Sequence, residues 1–581
     1  MKATENSHLK YIGLRTFLVG LMFTLLFGAI GAKAMVVQVF RGPWLSQKAA
    51  DQYEASFQPY GKRGTIYDRN HKEMAVSIEV TSIAAHPQLM ENHRAAAKAL
   101  AAKLKLKEGA LYRQLASKKP FVWIKRQATP KETEAVRALK LSGIVFKPEQ
   151  NRFYPNRSIA AQVLGFSGID GNGLEGVEYY YDDYLKSTNG NLTVLRDALG
   201  REIVAEKDIA PDQSGKNIIL TIDRTIQYIA ESTLADTVKE FEAVSGVAIV
   251  MVPKTGAVLA LAHVPLFNSN TYQDFSQQQW RNRAITDPFE PGSTMKIFSA
   301  AAAIERGNST PNSIYFCENG EYRIGSNIIH DTRPYGWLSL QQIVKYSSNI
   351  GIAKVGELMG AETLFMTLRD FGFGEKTGID SPGETSGSLS SHKYWSKIDA
   401  GAIAFGQGIS VSAIQLAAAV GAIANDGILM RPYILQAITD NNGRLIRSTQ
   451  PQAVRKAISP QTARVIKKIL QTVTQEGGTG TDAAIEGFTV AGKTGTAQKT
   501  DESGTYAKGK YIASFVGFTP VENPEIAILV MVNEPKKHHY GGTVAAPAFK
   551  KIAIETLNYL NITPDKSKHN LTAALQDEVN G

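Results

Sequence analysis

The chain has 581 residues, of which 43% are hydrophobic and 20% are charged, with 50 glycines and 23 prolines. These ordinary globular proportions exclude collagen-like, wholly disordered and polytopic membrane proteins, and the length predicts three or four domains of about 150 residues. The formal charge of +10 suits an anionic surface (a membrane or a wall polymer) as well as a nucleic acid, and the single cysteine, Cys317, excludes an intrachain disulfide and a cysteine-cluster metal site.

The first predicted element is an apolar helix near the N-terminus. Residues 16–32 carry no charge, and the apolar pattern continues past Lys33 to Phe40. Seventeen helical residues span about 26 Å, and the continuation reaches the roughly 30 Å of a hydrocarbon core. We therefore predict a short cytoplasmic tail at 1–15 and a single transmembrane anchor at 16–40.

Two other interpretations of this segment stay open. Ala32, Lys33 and Ala34 have the small-x-small form of a signal-peptide cleavage site, although the apolar run exceeds the usual 7–15 residues. A buried core helix has the same composition. Basic residues on the two sides are nearly balanced, so the large body is placed outside because that is the natural arrangement for one N-terminal span.

A mixed α/β domain is predicted at 41–212. Residues 91–107 have the apolar spacing of an exposed amphipathic helix, whereas 65–67 and 194–196 are typical of strands and 168–176 of a loop. The polar run 212–216 has turn chemistry, so we place the main domain boundary there.

A second domain is predicted at 213–560, followed by a polar tail at 561–581. Apolar runs predict its strands at 217–223, 247–252, 258–264, 514–520 and 526–532. The middle two are joined by a tight turn and form a hairpin of a mostly buried antiparallel sheet, as do the last two. With helical patterns between them, the class is α+β: a central antiparallel sheet flanked by helices.

The chemistry of this domain begins at residues 290–296. Pro291 and Gly292 interrupt the preceding segment, so Ser293 begins a helix and faces Lys296 one turn later. A serine hydroxyl is a poor nucleophile until a neighbouring base accepts its proton. A lysine can do so if its pKa falls by roughly three units, worth about 4 kcal/mol, which burial and a second nearby cation favour.

The short patterns are unspecific when taken singly. Competing Ser-x-x-Lys, Ser-x-Asn and Lys-Thr-Gly matches lie at 7–10, 187–189, 254–256, 376–378 and 390–393. Only 293–296, 347–349 and 493–496 combine a helix start, a helix-to-helix turn and a strand within one domain.

This ordered set resembles the class B penicillin-binding proteins, and more narrowly the septal D,D-transpeptidases of the FtsI type. The resemblance covers nearly the whole chain and includes RGTIYDRN at 63–70, RFYP at 152–155, GLEGVE at 173–178, EPGSTMK at 290–296, FGFG at 371–374 and GQG at 406–408. The middle motif, Ser347-Ser348-Asn349, is like that of the division branch. The elongation branch more often has Asp in the last position.

The resemblance implies an anchored protein with an elongated mixed α/β pedestal domain and a transpeptidase domain. Its activity would be cross-linking of peptidoglycan stem peptides that end in D-Ala-D-Ala through an acyl-enzyme on Ser293, inhibited by β-lactams. Lys296 would accept the hydroxyl proton, Ser347 would relay a proton to the leaving amine, and Asn349 would bind Lys296 and the substrate amide.

The remaining implied roles belong to one strand. Lys493 would help to keep Lys296 neutral, while Thr494, Gly495 and Thr496 would bind the substrate's terminal carboxylate. The backbone N–H groups of Ser293 and Thr496 would form the oxyanion hole. No cofactor or metal is implied, and His538-His539 is predicted to be a solvated loop pair.

The implied location is the bacterial inner membrane at the division septum, with the catalytic domain outside the cytoplasm. The implied partners are a membrane glycan polymerase and other division proteins, and no nucleic acid. An elongation-type transpeptidase, a D,D-carboxypeptidase and a catalytically silent scaffold or β-lactam sensor stay open as alternatives.

Overall fold

The computed structural model describes residues 5–42, 44–45, 48, 54–57, 62–187, 192–196, 202–203, 214–324, 327–500 and 505–564. They belong to two compact units, one of Met1–Gly61 with Thr188–Gln213 and one of Lys62–Ser187 with Ser214–Gly581. Parts of the predicted tails at 1–15 and 561–581, and of the joint at 212–216, lie outside the described residues. The predicted domain boundaries stay predictions.

The described α-helices are, in chain order, α1 (Glu5–Met35), α2 (His93–Leu104), α3 (Glu108–Leu115), α4 (Pro130–Arg137), α5 (Ala161–Leu164), α6 (Gly176–Tyr180), α7 (Asp182–Leu185), α8 (Arg224–Glu240), α9 (Gln277–Trp280), α10 (Arg283–Thr286), α11 (Lys296–Glu305), α12 (Leu340–Tyr346), α13 (Asn349–Met359), α14 (Ala361–Asp370), α15 (Lys397–Ala404), α16 (Ala413–Ala424), α17 (Pro460–Val473), α18 (Gly541–Val544) and α19 (Ala546–Tyr559).

The described β-strands are, in chain order, β1 (Glu54–Phe57), β2 (Ile66–Tyr67), β3 (Glu73–Ala85), β4 (Val122–Ala128), β5 (Ile144–Phe153), β6 (Leu192–Arg196), β7 (Glu202–Ile203), β8 (Asn217–Leu220), β9 (Ser245–Met251), β10 (Val258–Val264), β11 (Ile314–Phe316), β12 (Glu321–Ile324), β13 (Asn327–His330), β14 (Trp337–Ser339), β15 (Ile428–Met430), β16 (Leu435–Thr439), β17 (Leu445–Ser448), β18 (Ala453–Lys456), β19 (Ala491–Thr500), β20 (Tyr506–Thr519) and β21 (Ile526–Asn533).

In the first unit, α1 continues into a π-helical turn at Val36–Phe40. The stretch Gly13–Phe40 is long and apolar enough to cross a membrane, and none of its most apolar window is buried in the protein. A core helix buries at least one face, so the core-helix interpretation is wrong. The same unit contains a small antiparallel sheet of order β1-β6-β7, which confirms the strand predicted at 194–196.

In the second unit, the helix predicted at 91–107 is confirmed as α2 but ends earlier. The Asn92 side chain accepts a hydrogen bond from Ala95 N at 3.0 Å and caps the first turn. Lys105 has a left-handed φ of 54°, which ends the helix, and α3 follows as a separate element. Apolar residues of α2 and α3 form a core with β3 and β4.

A mixed sheet has the strand order β17-β16-β8-β2-β3-β4, with β5 also paired to β3. Strand β2 lies parallel to β8, so the sheet joins strands from both sides of the predicted boundary at 212–216. The strand predicted at 217–223 stops at Leu220. The Asp223 side chain accepts from Thr225 N at 2.9 Å and caps α8 instead.

Three motifs of the N-terminal half meet at one buried carboxylate, that of Glu178. Arg63 Nε donates to it at 2.7 Å, Arg152 Nε at 2.6 Å and the Tyr154 hydroxyl at 3.2 Å. Burial by itself raises the pKa of Glu178, but the two arginines outweigh it and hold that pKa below its usual range. The motifs at 63–70, 152–155 and 173–178 therefore share a structural role.

The central sheet is five-stranded and antiparallel, in the order β10-β9-β21-β20-β19, which confirms the predicted class. Its side chains alternate between two cores. Along β9, Ala248 and Val250 belong to the core that contains residues of α8 and α19, whereas Val247 and Ile249 belong to the core on the opposite face, which contains residues of α11, α16 and α17. Strand β19 lies at the open edge.

Candidate active site

The predicted nucleophile lies in a turn that precedes its helix. Gly292–Met295 is a 3-10 turn, and the α-helix α11 begins at Lys296 rather than at Ser293. The i, i+3 relationship still places Ser293 and Lys296 on one side, because side chains three apart eclipse in a 3-10 turn.

This serine turn packs closely against the edge strand β19. Gly292 has a φ of +55°, and a Cβ atom there would lie 3.0 Å from Thr496 O and 3.2 Å from Ala497 Cβ. A Cβ atom at Gly495 would lie 2.9 Å from Thr294 Cγ2 and 2.3 Å from Ser514 Oγ. Both glycines are therefore needed for the turn to approach the strand.

The contact also defines where the backbone of Thr496 points. The carbonyl oxygen of Thr496 faces Gly292. In a β-strand, the N–H and the C=O of any single residue point to the same side of the strand. Strand β19 is an edge strand with β20 on one side only, so the side of Thr496 that faces Gly292 is the side away from β20. The Thr496 N–H is thus directed toward the turn that carries Ser293.

Lys296 is fully buried, and its amine lies among oxygen atoms of the second motif. The Nζ atom is 2.5 Å from Ser347 O, 2.7 Å from Asn349 Oδ1 and 3.1 Å from Ser347 Oγ. Burial and, next, the charge of nearby Lys493 bring the pKa of Lys296 well below its usual range, while Asp331 acts in the opposite direction. These two causes are those predicted from the sequence.

The second motif is a tight connection between α12 and α13, as predicted. Ser347 ends α12 with a left-handed φ of 64°, and Ser348 Oγ caps α13 by accepting from Gly351 N at 2.9 Å. Asn349 Nδ2 donates to His330 O at 2.9 Å, which orients its amide oxygen toward Lys296.

Asp331 is a site residue that sequence reasoning missed. Its carboxylate accepts hydrogen bonds from Ser348 Oγ at 2.6 Å, from Asn349 N and from Ile350 N at 3.1 Å. It therefore holds the α12–α13 turn and places a negative charge near Lys296. It belongs to none of the three motifs, so the sequence contains no signal for it.

The third motif lies on β19, the predicted strand. Lys493 is fully buried, and burial lowers its pKa to about 7. Its Nζ donates to Thr494 O and Oγ1, each at 3.2 Å, and Thr494 Oγ1 lies 3.0 Å from Thr479 Oγ1. Thr496 Oγ1 accepts from Gly541 N at 3.2 Å, which leaves its hydroxyl proton available to a ligand.

The structure thus brings the three motifs together around Lys296. Within the described part of the chain, no hydrogen bond joins the Ser293 hydroxyl to Lys296, whose amine is occupied by Ser347 and Asn349. Glu290 belongs to the 290–296 motif of the resemblance, but no role was predicted for it. It accepts from Gly408 N at 2.9 Å and from the Tyr506 hydroxyl at 3.1 Å, and so braces the serine segment.

The competing motif matches have structural partners elsewhere. Lys254 lies in the β9–β10 turn and donates to Asn523 Oδ1 at 2.7 Å, and Ser390 Oγ accepts from Trp395 Nε1 at 3.0 Å. In the match at 376–378, the backbone N–H groups of Thr377 and Gly378 donate to the Glu384 carboxylate. The match at 7–10 lies in α1, and the match at 187–189 extends beyond the described residues. Of the histidine pair, His538 is exposed, but His539 is half-buried and stacks on Tyr511 with ring centroids 4.5 Å apart.

Two family models match the chain. That of the penicillin-binding protein transpeptidase domain matches residues 246–553, and that of the penicillin-binding protein dimerisation domain matches residues 59–220.

Relatives and a solved structure agree with these matches. The chain is 36% identical over 568 residues to a protein named as a probable peptidoglycan D,D-transpeptidase, PenA, of Neisseria gonorrhoeae, which covers 96% of this chain and 94% of that protein. It is 34% identical over 514 residues to the peptidoglycan D,D-transpeptidase FtsI of Escherichia coli K12, covering 87% and 84% respectively. The crystal structure of penicillin-binding protein 3 of Mycobacterium tuberculosis complexed with aztreonam matches with a TM-score of 0.69 and 28% identity, covering 87% of this chain and 98% of that one.

Proposed function

Because this chain belongs to the class B penicillin-binding proteins of the FtsI type, we propose that it cross-links peptidoglycan at the division septum through an acyl-enzyme on Ser293. The substrate is a stem peptide ending in D-Ala-D-Ala. A single N-terminal span holds the protein in the inner membrane, with the catalytic domain outside the cytoplasm, beside a glycan polymerase and other division proteins.

The observation that carries this proposal is the environment of the Lys296 amine. A neutral amine has two N–H groups and one lone pair. Its N–H groups have good acceptors in Ser347 O and Asn349 Oδ1, so the lone pair is left to accept a proton. Burial and the charge of Lys493 favour this neutral form, which is the form that a general base requires.

In the acylation step, Ser293 Oγ attacks the carbonyl carbon of the last peptide bond, and Lys296 accepts the hydroxyl proton. The tetrahedral intermediate then collapses as the C–N bond breaks. Ser347 Oγ, 3.1 Å from Lys296 Nζ, relays a proton to the leaving nitrogen, so that D-alanine departs as a free amine. Asn349 holds Lys296 in place and binds the substrate amide.

The edge strand β19 binds the other end of the substrate. The hydroxyls of Thr494 and Thr496 bind the terminal carboxylate, and Gly495 allows the serine turn to lie against the strand. The N–H groups of Ser293 and Thr496 stabilise the oxyanion, each such donor being worth about 3 kcal/mol. An amine from a second stem peptide then attacks the ester, which forms the cross-link and restores Ser293.

A β-lactam resembles the D-Ala-D-Ala end and acylates the same serine. Fluorescent penicillin should therefore label the full-length protein covalently, and Ser293→Ala should abolish the label. The matched control is Ser390→Ala, in the competing Ser-x-x-Lys match, which should be labelled like the wild type. Labelling of the Ser293→Ala variant would place the nucleophile elsewhere.

The septal role has a separate test. A tagged, functional copy should concentrate at midcell during division. A distribution along the side wall would assign the same chemistry to elongation.

A further inference from the structure

The positive excess of the chain lies in one part of its N-terminal half. Residues 91–147, which we call the basic lobe, contain 14 lysines and arginines but only four aspartates and glutamates. The rest of the chain has 50 residues of each sign, so the formal charge of +10 belongs to the lobe. Solvated surfaces usually mix both signs, and this segregation therefore indicates an anionic partner.

The lobe displays these charges on a folded surface. Leu100 of α2 and Leu115 of α3 pack in a core with Ile83 of β3 and Ile124 of β4. Nine lobe cations are exposed and make no ion pair, side-chain hydrogen bond or ring contact within the described part of the chain: Arg94, Lys98, Lys103, Lys105, Lys107, Lys118, Lys119, Lys131 and Lys140. Their charges are available to a ligand.

Two aromatic rings lie next to two of these lysines. Phe121 and Trp123 are in edge-to-face contact with ring centroids 5.0 Å apart, and Trp123 is 37% exposed. Phe121 and Trp123 lie two and four residues after Lys119 in the sequence, around the start of β4. Together with Lys125, which shares the outward face of β4 with Trp123, they form what we call the 118–125 surface.

The loop that carries this surface is held by hydrogen bonds. Gln88 Nε2 donates to Lys118 O at 3.4 Å, and His86 Nδ1 lies 2.7 Å from Pro120 O. The His86 ring also contacts Phe121, with centroids 5.7 Å apart. The backbone that carries the lysines and rings is thus held in place before a ligand arrives, which reduces the entropy lost on binding.

We propose that the 118–125 surface binds the peptidoglycan polymer itself, through residues that do not belong to the transpeptidase site. This inference rests on the proposed function, because it takes its ligand from there. The carboxylates of stem peptides pair with Lys118 and Lys119, because Lys125 is already paired with Glu132 at 2.6 Å, and the apolar faces of the sugar rings pack on Trp123 and Phe121. Tethering the polymer in this way raises its effective concentration at the catalytic domain.

A membrane surface fits the lobe less well. A helix that binds a bilayer interface inserts an exposed apolar face. In α2 the buried face contains Ala97, Leu100 and Leu104, while Arg94 and Lys98 lie on the exposed face. Helix α2 therefore offers charge without an apolar face to insert.

The test is retention of full-length protein on purified peptidoglycan sacculi, with the catalytic site blocked by penicillin or by Ser293→Ala. The triple variant Lys118→Gln/Lys119→Gln/Trp123→Ala should bind at least about fivefold more weakly, the loss expected for two exposed ion pairs and one ring contact. The matched control is Lys550→Gln/Lys551→Gln, which removes the same charge from an exposed face of α19 and should bind like the wild type.

Two further arms identify the source of the binding. Amidation of the sacculus carboxylates should reduce the difference between the two variants to the part that comes from the Trp123 ring contact, and so should binding at high salt. Equal retention of the two variants, or a triple variant that loses affinity only for phosphatidylglycerol micelles, would overturn the proposal. Penicillin labelling of the triple variant should stay normal, so failure of the proposed function would be seen separately.

Discussion

The carboxylate of Asp331 accepts a hydrogen bond from Ser348 Oγ at 2.6 Å, so a residue outside all three motifs holds the turn that positions the Lys296 amine. The same carboxylate raises the pKa of Lys296, against the effects of burial and of Lys493. Asp331 therefore has both a structural and an electrostatic effect on the proposed base.

Asp331→Asn should separate these two effects. Losing the charge lowers the pKa of Lys296 further, so the acidic limb of the acylation rate, where the base becomes protonated, should move to lower pH. The lost hydrogen bonds should also destabilise the protein by about 1–2 kcal/mol. The measurement is the pH dependence of penicillin acylation. If the acylation rate falls but the acidic limb stays at the same pH, Asp331 has a structural role only.

Lys493 should make stability depend on pH in an identifiable window. Its pKa is about 7 in the folded protein and near 10.4 when unfolded, so the unfolded state binds more protons between these values. Stability should therefore rise with pH from about 7 upward. Between pH 7 and pH 9, the free energy of unfolding of the wild type should rise by roughly 1–3 kcal/mol more than that of Lys493→Met.

This comparison is made by thermal or denaturant unfolding of both proteins at several pH values. Lys397→Met, which replaces an exposed lysine at the start of α15, is the control and should follow the wild type. If the free energies of unfolding of the wild type and of Lys493→Met change with pH in parallel, then Lys493 keeps an ordinary pKa in the folded protein.

Gly495→Ala should damage the site through packing. The new Cβ would lie 2.9 Å from Thr294 Cγ2 and 2.3 Å from Ser514 Oγ, so the serine turn must move away from β19. We expect acylation to fall at least about tenfold and stability to fall by about 1–3 kcal/mol. Gly109→Ala, in α3 with open space around it, should leave acylation unchanged. A normal acylation rate in Gly495→Ala would show that the contact is not needed.

Glu178→Gln should destabilise the N-terminal half without touching the proposed chemistry. It removes the charge that pairs with the buried Arg63 and Arg152, and breaking such a pair costs about 3–5 kcal/mol. The melting temperature should fall, while protein that is still folded should be acylated at the normal rate. Glu321→Gln, at an exposed position, should melt like the wild type. An unchanged melting temperature for Glu178→Gln would contradict the proposed role of the motif residues.

Local patterns in the sequence were sufficient for the elements that carry the site. Alternating or continuous apolar runs predicted β9, β10, β20 and β21, and the second motif was correctly placed in a helix-to-helix turn. The boundaries were less accurate wherever a single side chain decided them. Asp223 capped α8 and shortened a predicted strand, and the start of α11 was displaced by a 3-10 turn.

By itself, the sequence predicted which side chains would perform acyl transfer, and it determined on which kind of element most of them lie, because periodicity and turn chemistry are properties of neighbouring residues. Only the tertiary structure decided that Lys296 and Lys493 are buried close enough for one charge to lower the other's pKa. It also decided that Asp331 holds the turn beside Lys296 and that Glu290 holds the serine segment. Burial and Coulomb energies depend on which distant segments pack together, and no short pattern records that.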